Sequence, residues 1–309
     1  MKELAIGIRP CSWYDEAKID ESIRSIKEGG FEAVDISFRY IPIETYDEKT
    51  GTSFFDKSLE ELYAYYEPLK KCLKEQNIYL AQVHGVDPVG PDKGEEKSTC
   101  ITRAAIRQIE LCQYLDCPCI VFHFWRNIDA TKEEEQRVNL MLLRKLIPAA
   151  KRCGVKICLE NLYLHVGAQC EDSSGSDAVE ASWYIDALNE EAGEVIFGAC
   201  VDTGHAHLLR RNLYKHIITL GHRVYALHIN ENMGREDTHM IPYTQLNNCE
   251  TDTAIDWERF IKALREIEFR GSLSFEIKSG LELLPEECRK EGMQLVSSIG
   301  KYFRKRILE

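Results

Sequence analysis

The chain has 309 residues, 44% hydrophobic and 29% charged, which suits a soluble globular protein with a sizeable core. Its formal net charge of −12 disfavours a polyanionic partner or an acidic membrane surface, and no apolar run approaches the length that spans a bilayer. The opening MKELAIGIRP lacks the apolar stretch of a secretory signal, and the twelve cysteines lie largely in apolar segments without C-x-x-C spacing. They read as reduced thiols of a cytoplasmic protein.

Along the chain, short β-branched runs alternate with longer segments of helical period. The expected strands are LAIGI (4–8), FEAVDISF (31–38), IYLAQVH (78–84), CIVFHF (119–124), KICLEN (156–161), IFGACVD (196–202), VYALHIN (224–230) and SLSFEI (272–277). Between them lie amphipathic segments such as Trp257, Phe260, Ile261, Leu264 and Ile267, spaced to share one helix face. Ser58 with Glu61 and Thr131 with Glu134 have the spacing of capping boxes. Pro68 and Pro148 come late in their helical patterns and are expected to bend or end them, and a last helix is expected over 285–307.

Strands alternating with helices, without a linker, predict one α/β domain over 1–309, a (β/α)8 TIM barrel. A doubly wound sheet would carry a glycine-rich turn after its first strand, whereas RPCSWYDE has no glycine. Links from helix to strand are brief (GG before Phe31, CG before Val155, RG before Ser272). Links from strand to helix are long: 39–57, 85–97, 162–176 and 231–255. In a barrel the long links all gather at the C-terminal face, where active sites are built.

The strand ends carry polar residues: His84, His123, Glu160, Asp202 followed by His205, His228 and Glu276. A barrel brings these ends together around one axis. Two glutamates and an aspartate converging there repel one another unless a divalent cation compensates them. Mixed carboxylate and imidazole donors suit Mn²⁺, Zn²⁺, Co²⁺ or Mg²⁺.

The stretches CLENL (158–162), VDTGHAHL (201–208), HINEN (228–232) and IDWERFIKALREIEFRGSLSFEI (255–277) resemble the sugar phosphate isomerase/epimerase family, with its xylose-isomerase-like barrel. The resemblance implies one divalent metal held by Glu160, Asp202, His228 and Glu276, with Glu160 and Glu276 also the acid–base pair. It implies that His205 and Arg235 bind and polarise substrate oxygens, and it matches the family's D-x-H with Asp237 and His239. The implied substrate is a small keto sugar, isomerised or epimerised through an enediolate; a lyase that dehydrates a sugar or inosose would need the same parts. Many members carry a PGEG-like turn where this chain reads IPYTQLNNCETDT. Family members often pair near the barrel rim, which makes a homo-oligomer a further expectation.

The apurinic endonuclease branch shares this barrel and holds three zinc ions. Its ligand types are matched by His84, His123, Glu160, Asp202, His205, His228, Asp237, His239 and Glu276. Against that branch, MGREDTH replaces its G-S-R-x-D-R-H-like segment, and the acidic stretches DKGEE and CEDSSGSD oppose a phosphate backbone. A sugar is therefore expected in place of nucleic acid. On that reading His84 joins the substrate contacts, and His123, Asp237 and His239 are further metal or substrate contacts for a second or third ion. His207 is expected on a helix face, His216 and His222 in solvated or structural roles, and His165 in a long loop.

Overall fold

The hydrophobic runs form the ring expected of them. The structure, a computed structural model, describes residues 3–10, 14–38, 46–245 and 254–309. Its strands are β1 (Ile6–Ile8), β2 (Ala33–Ser37), β3 (Tyr79–His84), β4 (Cys119–His123), β5 (Lys156–Glu160), β6 (Tyr163–Val166), β7 (Gln169–Asp172), β8 (Phe197–Asp202), β9 (Val224–His228) and β10 (Leu273–Phe275). Eight of them pair in parallel in the order β10-β1-β2-β3-β4-β5-β8-β9. The ring closes through a parallel bridge between Ile229 and Phe275, where Ile229 N donates to Ser274 O at 2.8 Å and Glu276 N to Ile229 O at 3.0 Å. This is a (β/α)8 barrel. A closed ring leaves no strand edge, and burial on both faces explains why the runs read as nearly continuous apolar sequence.

Alternate strand residues divide between two cores. Ile120, Phe122, Ile157, Leu159, Phe197 and Val201 join the main core, which includes the helices, whereas Cys119, Val121, Cys158, Cys200 and Ala226 form a separate cluster. Side chains alternate with period two along a strand. His123, Glu160, Asp202 and His228 each lie two residues beyond Val121, Cys158, Cys200 and Ala226, and so project from the same face at the C-terminal end. The barrel's inner layer thus aims these polar residues.

The β6–β7 hairpin, inside the 162–176 link, was not expected. Its pattern is partly exposed on both faces, so no apolar alternation marks it, and Gly167, with φ of +62°, supplies the turn. Ser58 and Glu61 do form a reciprocal cap on helix 59–76, at 2.9 and 3.2 Å, and Thr131 accepts from Glu134 N at 3.2 Å. Pro68 does not end its helix, which continues to Gln76 because Leu69, Cys72 and Leu73 are buried beyond it. Pro148 instead opens the separate helix 147–153, after helix 132–144 has ended. The last helix spans 289–308, after a 3-10 turn over 286–288. Ten described cysteines are free, eight of them buried; Cys11 and Cys249 lie outside the described residues, as do parts of RPCSWYDE and IPYTQLNNCETDT. Among the described residues, no helix is long and apolar enough to cross a membrane.

Helix 257–266 buries the expected stripe of Trp257, Phe260, Ile261 and Leu264, and Ile267 packs beside it. Phe303 of the last helix lies among Trp257, Phe260 and Phe275, with ring centroids 5.6, 5.8 and 6.1 Å away. Phe303→Ala removes the ring on which that aromatic group closes. It is expected to lower unfolding stability by about 3–5 kcal/mol, measured by denaturant titration.

Candidate active site

The long links surround an open cavity of 1690 Å³ whose floor carries His84, His123, Glu160, His205 and Glu276, with Asp202 and His228 fully buried and outside its lining. Strand register sets them level: His123 pairs with Glu160, and Asp202 with His228. Glu160, Asp202, His228 and Glu276 are all buried, and each offers one ligand atom within 4.8 Å of the other three. His228 Nδ1 lies 3.1 Å from Glu160 Oε1 and 3.2 Å from Glu276 Oε2. Asp202 also caps the short helix 203–208, its Oδ1 accepting from His205 N at 2.7 Å, while its Oδ2 accepts from Asn230 Nδ2 at 2.9 Å. The strand end and the helix start are thus one device that fixes this carboxylate.

The other ring nitrogen of His228 faces Asp35, a residue the sequence reading passed over. His228 Nε2 is 3.1 Å from Asp35 Oδ2, which also accepts from Gln82 Nε2 at 2.9 Å. A carboxylate behind an imidazole holds the proton on that nitrogen and turns the other lone pair toward the carboxylates in front. Three buried carboxylates and a so oriented imidazole are a donor set that fits a divalent cation. Arg9, also not singled out, donates from Nη1 to Glu276 Oε1 at 2.6 Å.

Two further groups adjoin this one. His84 Nε2 and His123 Nε2 lie 3.3 and 3.2 Å from Glu160 Oε2, and these three residues are also able to hold an ion. His123 is backed by Asp87 at 2.6 Å. On the other flank His205 Nε2 and His239 Nε2 both approach Asp237 Oδ2, at 3.2 and 3.1 Å, while the buried Asp237 Oδ1 has no hydrogen-bond partner. Arg235 is exposed and does not line the cavity, unlike the other residues expected to meet substrate. His165 is exposed on β6 and does line it, beside Tyr163 and Leu164. His207 hydrogen-bonds Asn232 Oδ1 at 2.8 Å, His222 is exposed, and His216 is buried, which pulls its pKa down to about 4.

The charges at the floor are graded. Burial opposes ionisation of Glu160, but His228, His123 and His84 outweigh it and hold its pKa well below the usual carboxylate range. Burial likewise opposes Glu276, yet Arg9, His228 and His239 hold it at about 2. Asp202 goes the other way: burial, reinforced by Glu160, Asp237 and Glu276, pushes it up to about 6. Burial, with Arg9 and His123 nearby, pulls His84 down to about 4. His205 and His239 overcome burial through their carboxylate neighbours and rise to about 10 and 9. His228 is also raised well above its ordinary value, by Cys200, Glu160 and Glu276 against burial.

Metal ligands must be deprotonated, so an entering cation displaces the protons that His228 and Asp202 hold. Affinity is expected to rise with pH: it should already be falling below the raised value of His228, and more steeply as pH drops through about 6, the value at Asp202. Calorimetry in buffers of different ionisation enthalpy should register proton release on metal addition at neutral pH. Asp35→Asn, which removes the charge behind His228, is expected to weaken metal binding by about 10–100-fold in equilibrium dialysis.

With this geometry in view, a family profile described as a xylose isomerase-like TIM barrel matches residues 23–298. A solved D-tagatose 3-epimerase-like protein superposes with a TM-score of 0.68 at 16% identity, covering 98% of each chain. The 3-keto-D-glucoside 4-epimerase YcjR of E. coli superposes with a TM-score of 0.67 at 16% identity, covering 96% of this chain and all 100% of that one. The uncharacterized protein y4fM of Sinorhizobium fredii is 24% identical over 301 residues, 89% of this chain and 85% of that one. At these identities the solved relatives speak for the fold, and the profile match speaks for descent: the chain belongs to the xylose isomerase-like TIM barrel family.

Proposed function

We propose that this chain is a divalent-metal-dependent isomerase or epimerase of a small keto sugar, working by proton transfer between Glu160, Glu276 and the substrate. One observation carries the reading: two buried glutamates from separate strand ends line the floor of an open cavity and meet at one fully buried imidazole, His228. The epimerases among the structural relatives support it. Glu160, Asp202, His228 and Glu276 would hold a divalent cation, which when bound would polarise the substrate and acidify the carbon beside its carbonyl.

The chain's own groups do the rest. One glutamate removes the proton from one face of the sugar to give an enediolate. The other returns a proton to the opposite face of the same carbon for epimerisation, or to the neighbouring carbon for isomerisation. Arg9 keeps Glu276 ionised, the form a proton acceptor must have, and must loosen its hold for the proton to be taken up. His205 and His239, held cationic chiefly by Asp202 and Glu276 together with Asp237, set positive charge beside oxygens that gain charge, while their own N–H groups stay bonded to Asn161 O, Glu276 O and Asp237.

Glu276→Gln retains shape and an oxygen donor but cannot take a proton. It should fold and bind metal, yet lose about 10²–10⁴-fold in turnover. In heavy water the native enzyme should introduce deuterium at the carbon beside the carbonyl. Turnover without exchange would point to a hydride shift instead, and loss of water from the sugar would make it a dehydratase.

A second reading is favoured by the neighbouring set His84–His123–Glu160, which shares Glu160 with the first group and gives the floor donors for a second ion. That is a multinuclear zinc centre for apurinic DNA. The net charge of −12 opposes it. Metal analysis of the purified protein, with assays on keto sugars and abasic DNA, separates the two. Sugar turnover without DNA cleavage is expected, and DNA cleavage without sugar turnover would overturn the first reading.

A further inference from the structure

The cavity exceeds what the chemistry at its floor requires. At 1690 Å³ it is larger than the roughly 300–1,000 Å³ of ordinary small-molecule sites. Its lining also changes with height. The floor is made almost entirely of ionisable groups, whereas the upper walls carry Tyr14, Phe54, Tyr163 and Leu164. Tyr163 marks the boundary, its ring 5.2 Å from the ring of His205 and tilted 65° to it.

These upper walls are built features. Phe54 sits in a 3-10 turn over 54–56, which is closed by Ser53 N donating to Asp56 Oδ2 at 2.8 Å. Asp56 is in turn tied to Arg103 at 2.9 Å. The Phe54 ring packs edge-on against Phe55 and Tyr65, at 5.5 and 4.9 Å, with the Lys57 ammonium 4.7 Å above it. Across the mouth, the hairpin that carries Tyr163 is fastened by Arg126, which donates to Tyr163 O, and by Ser173 Oγ, which donates to Leu162 O at 3.0 Å. Aromatic side chains held this way offer preformed faces at little entropic cost.

The charges around them decide the class of ligand. Lys57, Arg126 and Lys278 stand among Asp15, Glu16, Asp47 and Glu282, a near balance of opposite charges that gives the rim no strong preference for an anion or a cation. A neutral ligand that is apolar on its C–H faces and rich in hydroxyls at its edges fits both sets of groups. A sugar ring has those properties. We propose that the upper chamber is a second sugar subsite, so that the substrate is a disaccharide or glycoside: its reacting ring rests on the floor and its second ring packs against Phe54 and Tyr163. This inference rests on the sugar chemistry proposed for the floor.

The test uses the metal-loaded protein and matched pairs of keto-hexoses and their glucosides that keep the free carbonyl. Calorimetric affinities and deuterium uptake are measured for both members of each pair. At least one glucoside should bind about tenfold or more tightly than its parent sugar, a difference near 1.4 kcal/mol. In Phe54→Ala and Tyr163→Ala that ratio should fall toward one, and in Phe54→Leu, which keeps apolar bulk without the ring face, it should fall part of the way. Metal stoichiometry checks that each variant is folded. No preference in any pair, or a preference that survives all three substitutions, overturns the subsite. Glucoside preference without solvent exchange would sustain the subsite and remove the isomerase reading. Exchange at equal kcat/KM for both members would do the reverse.

Discussion

The arrangement at the barrel mouth depends on one imidazole. His228 stands between Glu160 and Glu276 on one side and Asp35 on the other, all buried. Buried carboxylates in such numbers cannot remain ionised together unless positive charge lies among them. That charge comes from the Arg9 guanidinium against Glu276 and from the proton on His228, whose pKa is raised by Cys200, Glu160 and Glu276. A divalent cation bound there would supply that charge instead, with Asp35 still orienting the ring.

Around this hub the charges are divided unevenly. His84, between Arg9 and His123, is driven neutral and suits a ligand role, whereas His205 and His239 are driven cationic by Asp237 and its neighbours. The floor is thus polarised across its width.

The barrel contributes by being narrow where the site needs support and open where the substrate enters. Cys119, Cys158, Cys200 and Ala226 fill the interior below the floor with small side chains, and the long links after the strands raise the walls above it. The polar strand ends are therefore braced from below by packing, and His84, His123, Glu160 and Glu276 face the cavity above. Backbone rigidity of the strands and variability of the links are separate properties, so the floor chemistry and the shape of the upper chamber can change independently.

Much of this was legible in the chain. Eight runs of strand character, long links on one side and polar residues at strand ends are local features, and period-two alternation alone places Glu160, Asp202 and His228 inward once Cys158, Cys200 and Ala226 are inside. Asp35 was not legible, because it lies in the middle of AVDIS and its partner His228 is 193 residues away. Arg9 followed an unremarkable first strand, and Glu276, which it meets, is 267 residues distant. Arg235 illustrates the opposite case: its place in a motif suggested a substrate contact, yet it stands exposed beyond the cavity lining. The sequence by itself determined which residues could carry charge at the barrel mouth, since residue type and strand period are local. Only the tertiary structure decided which charges face one another, because those pairings depend on closing a ring of eight strands.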